Sequence, residues 1–195
     1  MKPLESTDLL TLPADLPRPV DDGAAGHLQG MRVPSVQLPA TNGEIVDLSA
    51  VAGLAVVFAY PRTGRPREAP LVPDWDSIPG ARGCTPEACS FRDLRAEFEM
   101  QSAKIFGLST QTTEYQREAV ERLHLPFVLL SDSSLHLAHK LSLPLHVVVG
   151  HILLKRLTWV QRDGVIEHVF YPVFPPDRAA HEVLEWLRKN ESPES

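Results

Sequence analysis

Apolar residues fall into short continuous or alternating runs through the first half of the chain and into three- and four-residue spacings further on. Val36 to Leu38 and Glu44 to Leu48 flank Asn42-Gly43 and read as two short strands joined by a tight turn. Leu54 to Tyr60 is an unbroken β-branched and aromatic run, short for a helix and typical of a strand buried on both faces. Phe91, Leu94 and Phe98 recur at helical spacing behind Thr85-Pro86-Glu87. There Thr suits an N-cap, Pro the first turn and Glu the positive end of the dipole, so a helix is predicted to about Ser102. Ala103 to Leu108 reads as the next strand. Thr113 and Gln116 have capping-box spacing and open a helix to His124. Phe127 to Leu130 reads as a short strand and Ser134 to Leu141 as a short helix. Leu145 to Val149 fits a strand or a buried connection equally. Leu153 to Val160 and Val165 to Val173 read as strands around Asp163-Gly164, a hairpin signal. Asp177 to Lys189 is an amphipathic helix, apolar at Ala180, Val183, Leu184 and Leu187.

This order puts a β-α-β-α-β stretch, whose strands must run parallel, before a late antiparallel hairpin and a last helix. The fold expected is α/β: a mixed central sheet with helices on both faces and an N-terminal β-hairpin, the thioredoxin-like architecture. Prolines mark its limits. Residues 1–32, with Pro3, Pro13, Pro17 and Pro19 and no sustained period, read as a poorly ordered or surface-draped lead-in to a domain spanning 33–190. Residues 62–82 carry four more prolines (Pro66, Pro70, Pro73, Pro79) and form a loop of about twenty residues, a length that is usually functional or mobile in a compact domain.

The chain has 195 residues, 43% of them hydrophobic and 23% charged, the proportions of an ordinary globular domain. Lys and Arg number 19 against 25 Asp and Glu, and no dense basic block exists, which argues against nucleic-acid or anionic-membrane partners. The longest apolar runs fall well short of the roughly 20 residues that a membrane helix needs. The N-terminus lacks the apolar segment of a signal peptide, so a cytoplasmic, reducing address is expected. In such a compartment the two cysteines of this chain do redox chemistry, bind metal, or do nothing.

Cys84 sits between the Pro-rich loop and the start of a helix. Exposed N–H groups and the dipole there stabilise a thiolate, and Arg82 is a nearby cation. A free cysteine is only about 3% thiolate at pH 7, and lowering its pKa by two units would make about three-quarters reactive. The local chemistry leaves two readings open, a reactive thiol and a buried structural cysteine. Cys89 follows five residues on, which in an intact helix separates the Cα atoms by about 8–9 Å, whereas a disulfide requires less than about 7 Å. The pair can bond only if the helix unwinds. The alternative for Cys89 alone is a small core residue near Phe91. Eight histidines are scattered, with none at zinc-ligand spacing from a cysteine pair, and there is no phosphate loop or nucleophile elbow, so no metal or cofactor is expected. Arg156, among apolar strand residues, is either at a sheet edge or a functionally placed charge.

Gly83-Cys84-Thr85-Pro86-Glu87-Ala88-Cys89-Ser90-Phe91-Arg92-Asp93 meets every specified position of Gly-Cys-Thr-x-Glu-Ala-Cys-x-Phe-Arg-Asp, and so resembles the active-site stretch of peroxiredoxins of the bacterioferritin-comigratory (Q) type. The resemblance runs from about Val33 to Leu187 and includes Phe58 to Pro61, Ile105 to Thr110, Leu130 to Asp132 and Arg156 to Thr158. It implies a thiol peroxidase acting on hydrogen peroxide or small alkyl hydroperoxides, with Cys84 peroxidatic, Cys89 resolving and Arg156 activating. It also implies a thioredoxin-like dithiol as reductant and a monomer or homodimer. Such proteins carry a Pro seven residues and a Thr or Ser three residues before the peroxidatic cysteine. Here those positions are Ser77 and Ala81, because residues 62–82 separate Pro61 and Thr63 from Cys84. Thr63 is expected to fold back beside Cys84 and supply the hydroxyl. A redox sensor using the same cysteine pair is the alternative function. A general dithiol oxidoreductase usually has Cys-x-x-Cys, which is absent.

Overall fold

The computed structural model describes residues 8–190. Strands β1 (Leu38–Pro39) and β2 (Ile45–Val46) pair antiparallel as the expected small N-terminal hairpin. The main sheet has the order β5-β4-β3-β8-β9. Its centre, β3 (Leu54–Ala59), β4 (Lys104–Ser109) and β5 (Leu129–Ser131), is parallel. β8 (Leu157–Arg162) and β9 (Val165–Phe170) add antiparallel strands on the other side of β3.

All six residues of β3 are buried, as the continuous apolar run requires. Alternate residues face opposite layers. Val56 and Phe58 pack with α1 (Cys84–Asp93), α3 (Thr113–Leu123) and α5 (Ala179–Lys189), while Val57 and Ala59 pack with α4 (His136–Leu141) and the N-terminal segment. Phe91 stacks on Phe58 at 4.5 Å between ring centroids, tying the cysteine-bearing helix to the central strand.

Three local expectations are corrected. The helix expected to reach Ser102 breaks at Leu94 into α1 and α2 (Arg95–Met100). Phe91 and Phe98 still meet across the break at 5.6 Å, so the apolar period persists and does not reveal it. The cap of α3 is Thr112, whose Oγ1 accepts from the Tyr115 N–H, and Gln116 instead donates inward to Ser109 Oγ and the Leu130 carbonyl. The strand expected over Leu153 to Val160 is interrupted at Lys155-Arg156. β7 (His151–Leu154) pairs with β6 (Leu145–Val148), the segment that the sequence left ambiguous, in a separate hairpin.

In the lead-in, residues 1–7 lie outside the described residues, and 8–32, mostly exposed, drape over the surface of the domain and are anchored to it, the second of the two forms expected. Ala25 and Leu28 are core residues, and the Gly30 and Val33 N–H groups donate to the Ile166 and Gly164 carbonyls. Apolar residues in coil need no period to be buried, because one-sided coil has none. Residues 62–82 are likewise docked. Trp75 and Ala81 pack with Val148 and Leu153 of the β6–β7 hairpin.

Candidate active site

Cys84 is the first residue of α1, and Gly83 precedes it at φ 106°, a left-handed conformation that L side chains rarely adopt. A Cβ on Gly83 would also lie 2.3 Å from Pro176 Cγ, so the chain reaches the helix by a turn that only glycine fits. Cys84 Sγ is buried, 3% exposed, and its thiol points to the Ala81 carbonyl at 3.7 Å.

Arg156 approaches from the β7–β8 break. Its Nη2 donates to Cys84 Sγ at 3.1 Å and to the carbonyls of Gly80, Ala81 and Arg82 at 3.1–3.3 Å. Its Nη1 pairs with the Glu87 carboxylate, itself fully buried. Three backbone carbonyls from the end of the Pro-rich segment and one carboxylate from the first turn of α1 therefore hold the guanidinium against the sulfur. Of the two readings of Arg156 left open by the sequence, sheet edge is excluded: the residue is 3% exposed and directed at Cys84.

Burial pushes the Cys84 thiol up, against the pull of the Arg156 guanidinium and the Arg62 backbone N–H, while the Glu87 carboxylate pushes in the same direction as burial. The net direction is upward, opposite to the expectation from a helix start alone, because Cys84 is almost wholly buried. Burial also raises the Glu87 carboxyl to about 7, despite its ion pair with Arg156. One guanidinium thus faces two acids in a buried site, and it favours a single negative charge between them.

Cys89 is buried in the same helix among the residues packed on β3, and both cysteines are free thiols. Thr63 hydrogen-bonds through its hydroxyl to Gln111, and among the described residues no hydrogen bond joins that hydroxyl to Cys84. Thr63 is 2% exposed, and its Oγ1 and backbone N–H both donate to Gln111 Oε1, at 3.1 and 2.9 Å, while Gln111 Nε2 returns a bond to the Thr63 carbonyl. That exchange spends the hydroxyl on fixing the loop, and Ala81 offers Cys84 a carbonyl where a hydroxyl was expected. Sequence reasoning missed Glu87 as the partner of Arg156, although an acid three residues after Cys84 shares its helix face. It also missed Gln111 and the Arg62 N–H, for which no local signal exists.

A mixed sheet of this order with a thiol at a helix start, held by a buried arginine, defines a thioredoxin-fold thiol protein. The Redoxin family profile matches residues 28–185. The chain is 28% identical over 161 residues to the chloroplastic peroxiredoxin Q of Oryza sativa subsp. japonica, covering 82% of this chain and 66% of that protein, just under two thirds of the relative's length. It is 34% identical over 114 residues to peroxiredoxin Bcp of Bacillus subtilis (strain 168), 58% of this chain and 60% of that one. The crystal structure of peroxidoxin BcpB from Mycobacterium tuberculosis superposes with a TM-score of 0.67 at 30% identity, over 84% of this chain and 98% of that one. The chain belongs to the redoxin family and, within it, to the peroxiredoxins of the Q/Bcp kind.

Proposed function

We propose that the chain is a thiol-dependent peroxidase in which Cys84 attacks a hydroperoxide and Cys89 resolves the product. The observation that carries this reading is the Arg156 Nη2 to Cys84 Sγ contact of 3.1 Å in a buried site. Cys84 thiolate attacks the terminal peroxide oxygen. The O–O bond breaks, the leaving alkoxide or hydroxide takes up a proton, and Cys84 becomes a sulfenic acid. The same guanidinium that supports the thiolate can donate to the peroxide oxygens as negative charge develops on them. When Glu87 holds a proton, Cys84 can ionise without placing a second negative charge on Arg156. Cys89 then attacks the sulfenic sulfur, water leaves, and an external thioredoxin-like dithiol reduces the disulfide.

The relatives' names support the activity, and the reductant follows from the chemistry of an internal disulfide. A reducing compartment suits that cycle, and the cytoplasm is the address proposed. Among the described residues no helix is long and apolar enough to cross a membrane. The second reading, a redox sensor, draws support from the hydroxyl spent on Gln111 and from the raised thiol, both of which slow peroxide attack.

NADPH-coupled peroxide consumption with thioredoxin and its reductase tests the proposal. Wild type should turn over many times, Cys84→Ser should not turn over, and Cys89→Ser should stall after one oxidation per chain. Wild-type turnover by Cys84→Ser would end the peroxidase assignment. A single slow oxidation of wild type with no recycling would favour the sensor.

A further inference from the structure

Residues 8–27 precede the segment matched by the family profile, yet part of this stretch lines the cavity over Cys84. The cavity holds about 50 Å³ and is closed on one side by Leu9, with Leu71 and Trp75 of the Pro-rich segment lining it too. Leu9 packs closely on the backbone, since a Cβ on Gly64 would lie 3.2 Å from its Cδ2. Leu12 reaches the helix start, 3.0 Å from the position of a Cβ on Gly83.

Arg82, two residues before Cys84, fastens both segments. Its Nη2 donates to the Asp8 and Thr11 carbonyls, and its Nη1 lies 3.6 Å from Asp76. The Asp8 carboxylate turns the segment back on itself by accepting from Leu10 N–H and Thr11 Oγ1. Much of the polar side of the cavity is paired within itself. Arg62 pairs with Glu68 and Tyr115, Tyr115 donates to Glu68, and Arg65 lies over the Tyr115 ring at 3.9 Å. Arg65 Nε, which has no hydrogen-bond partner among the described residues, and Thr85 complete the polar lining, and Leu9, Leu71 and Trp75 make the apolar side that faces them.

We propose that Leu9, with Leu71 and Trp75, forms a specificity wall that makes Cys84 prefer hydroperoxides bearing an apolar substituent over hydrogen peroxide. The inference rests on the peroxidase reading. The reaction is unchanged: the substituent leaves on the alcohol, and only its fit against the wall differs. Hydrogen peroxide has no apolar surface to bury there, whereas an aryl or alkyl group leaves water on contact with the three side chains. Removing one apolar side chain from such a wall should change discrimination by about five- to tenfold.

The test uses the full chain without reductant and follows Cys84 oxidation by mass spectrometry of quenched samples, with cumene hydroperoxide and with hydrogen peroxide. Wild type should react faster with cumene hydroperoxide. Leu9→Ala, and Leu9→Gln, which keeps the length but not the apolarity, should each lower the cumene-to-hydrogen-peroxide ratio by about five- to tenfold. Leu10→Ala, on the exposed side of the same segment, should keep the wild-type ratio. The wall is refuted if both Leu9 variants keep that ratio, if Leu10→Ala shifts it equally, or if wild type prefers hydrogen peroxide. If neither peroxide oxidises Cys84 faster than free cysteine, the peroxidase reading itself fails and the wall falls with it. That result is distinct, because the other three retain fast oxidation.

Discussion

Arg156 Nη2 sits 3.1 Å from Cys84 Sγ while Nη1 of the same guanidinium pairs with Glu87, three residues further along the helix that carries the thiol. Arginine is suited to this double task because its planar fork presents several donors at fixed angles. The relationship makes the thiol and the carboxyl competitors for one cation, and opposite expectations follow for the two partners.

Replacing the cation should raise the thiol pKa and slow its oxidation. Arg156→Met keeps the bulk but removes the donor, and the rate of Cys84 oxidation should fall on the order of a hundredfold. Stability should fall as well, by less than the about 3–5 kcal/mol typical of an orphaned buried charge, since Glu87 can take up a proton instead. Thiol alkylation against pH and urea unfolding measure both effects. An unchanged alkylation profile would remove Arg156 from the site.

Glu87→Gln should move the thiol the other way, lowering its pKa, because the carboxylate competes with the sulfur for Arg156. The stability profile follows by linkage. The folded carboxyl holds its proton up to about 7, against an ordinary value of 4.5. A group that binds protons more tightly when folded favours the fold below its unfolded pKa, and that contribution is lost as pH rises through about 7. Between pH 5 and 8 wild type should therefore lose more urea stability than Glu87→Gln. Parallel curves for the two proteins would contradict the raised carboxyl.

Thr63→Val tests where the hydroxyl acts. It removes one of two bonds accepted by Gln111 Oε1 and should cost about 1 kcal/mol of stability. The Cys84 alkylation profile should not move. A tenfold slower oxidation with a raised thiol pKa would instead show the hydroxyl reaching the sulfur.

Oxidation should unwind α1. In a helix the two cysteines are about 8–9 Å apart at Cα, and a bridge needs under about 7 Å. Forming it must release Phe91 from its stack on Phe58 and loosen residues 83–93. Amide exchange across that stretch should rise sharply after peroxide treatment, while Leu54–Ala59 stays protected. Equal protection in both forms, with a mapped Cys84–Cys89 disulfide, would refute the unwinding. A disulfide mapped between two chains would point to an intersubunit route.

Much of the architecture is legible in local pattern. The unbroken run at β3, the Asp163-Gly164 hairpin and the apolar face of α5 are short-range signals, and each element forms where its period and turn residues place it. Cys84 at a helix start is equally local, and Glu87 shares its face by spacing alone. The tertiary structure decided the remainder. Arg156 meets Glu87 across 69 positions of sequence, and Thr63 meets Gln111 across 48. No period encodes such encounters. A buried charge or hydroxyl takes whatever partner the fold delivers, because leaving it unpaired away from water costs more than reaching across the molecule. The break at Leu94 and the packing of Ala25 and Leu28 are of the same kind: the apolar residues are visible in the chain, but the surfaces that receive them exist only once the sheet has formed.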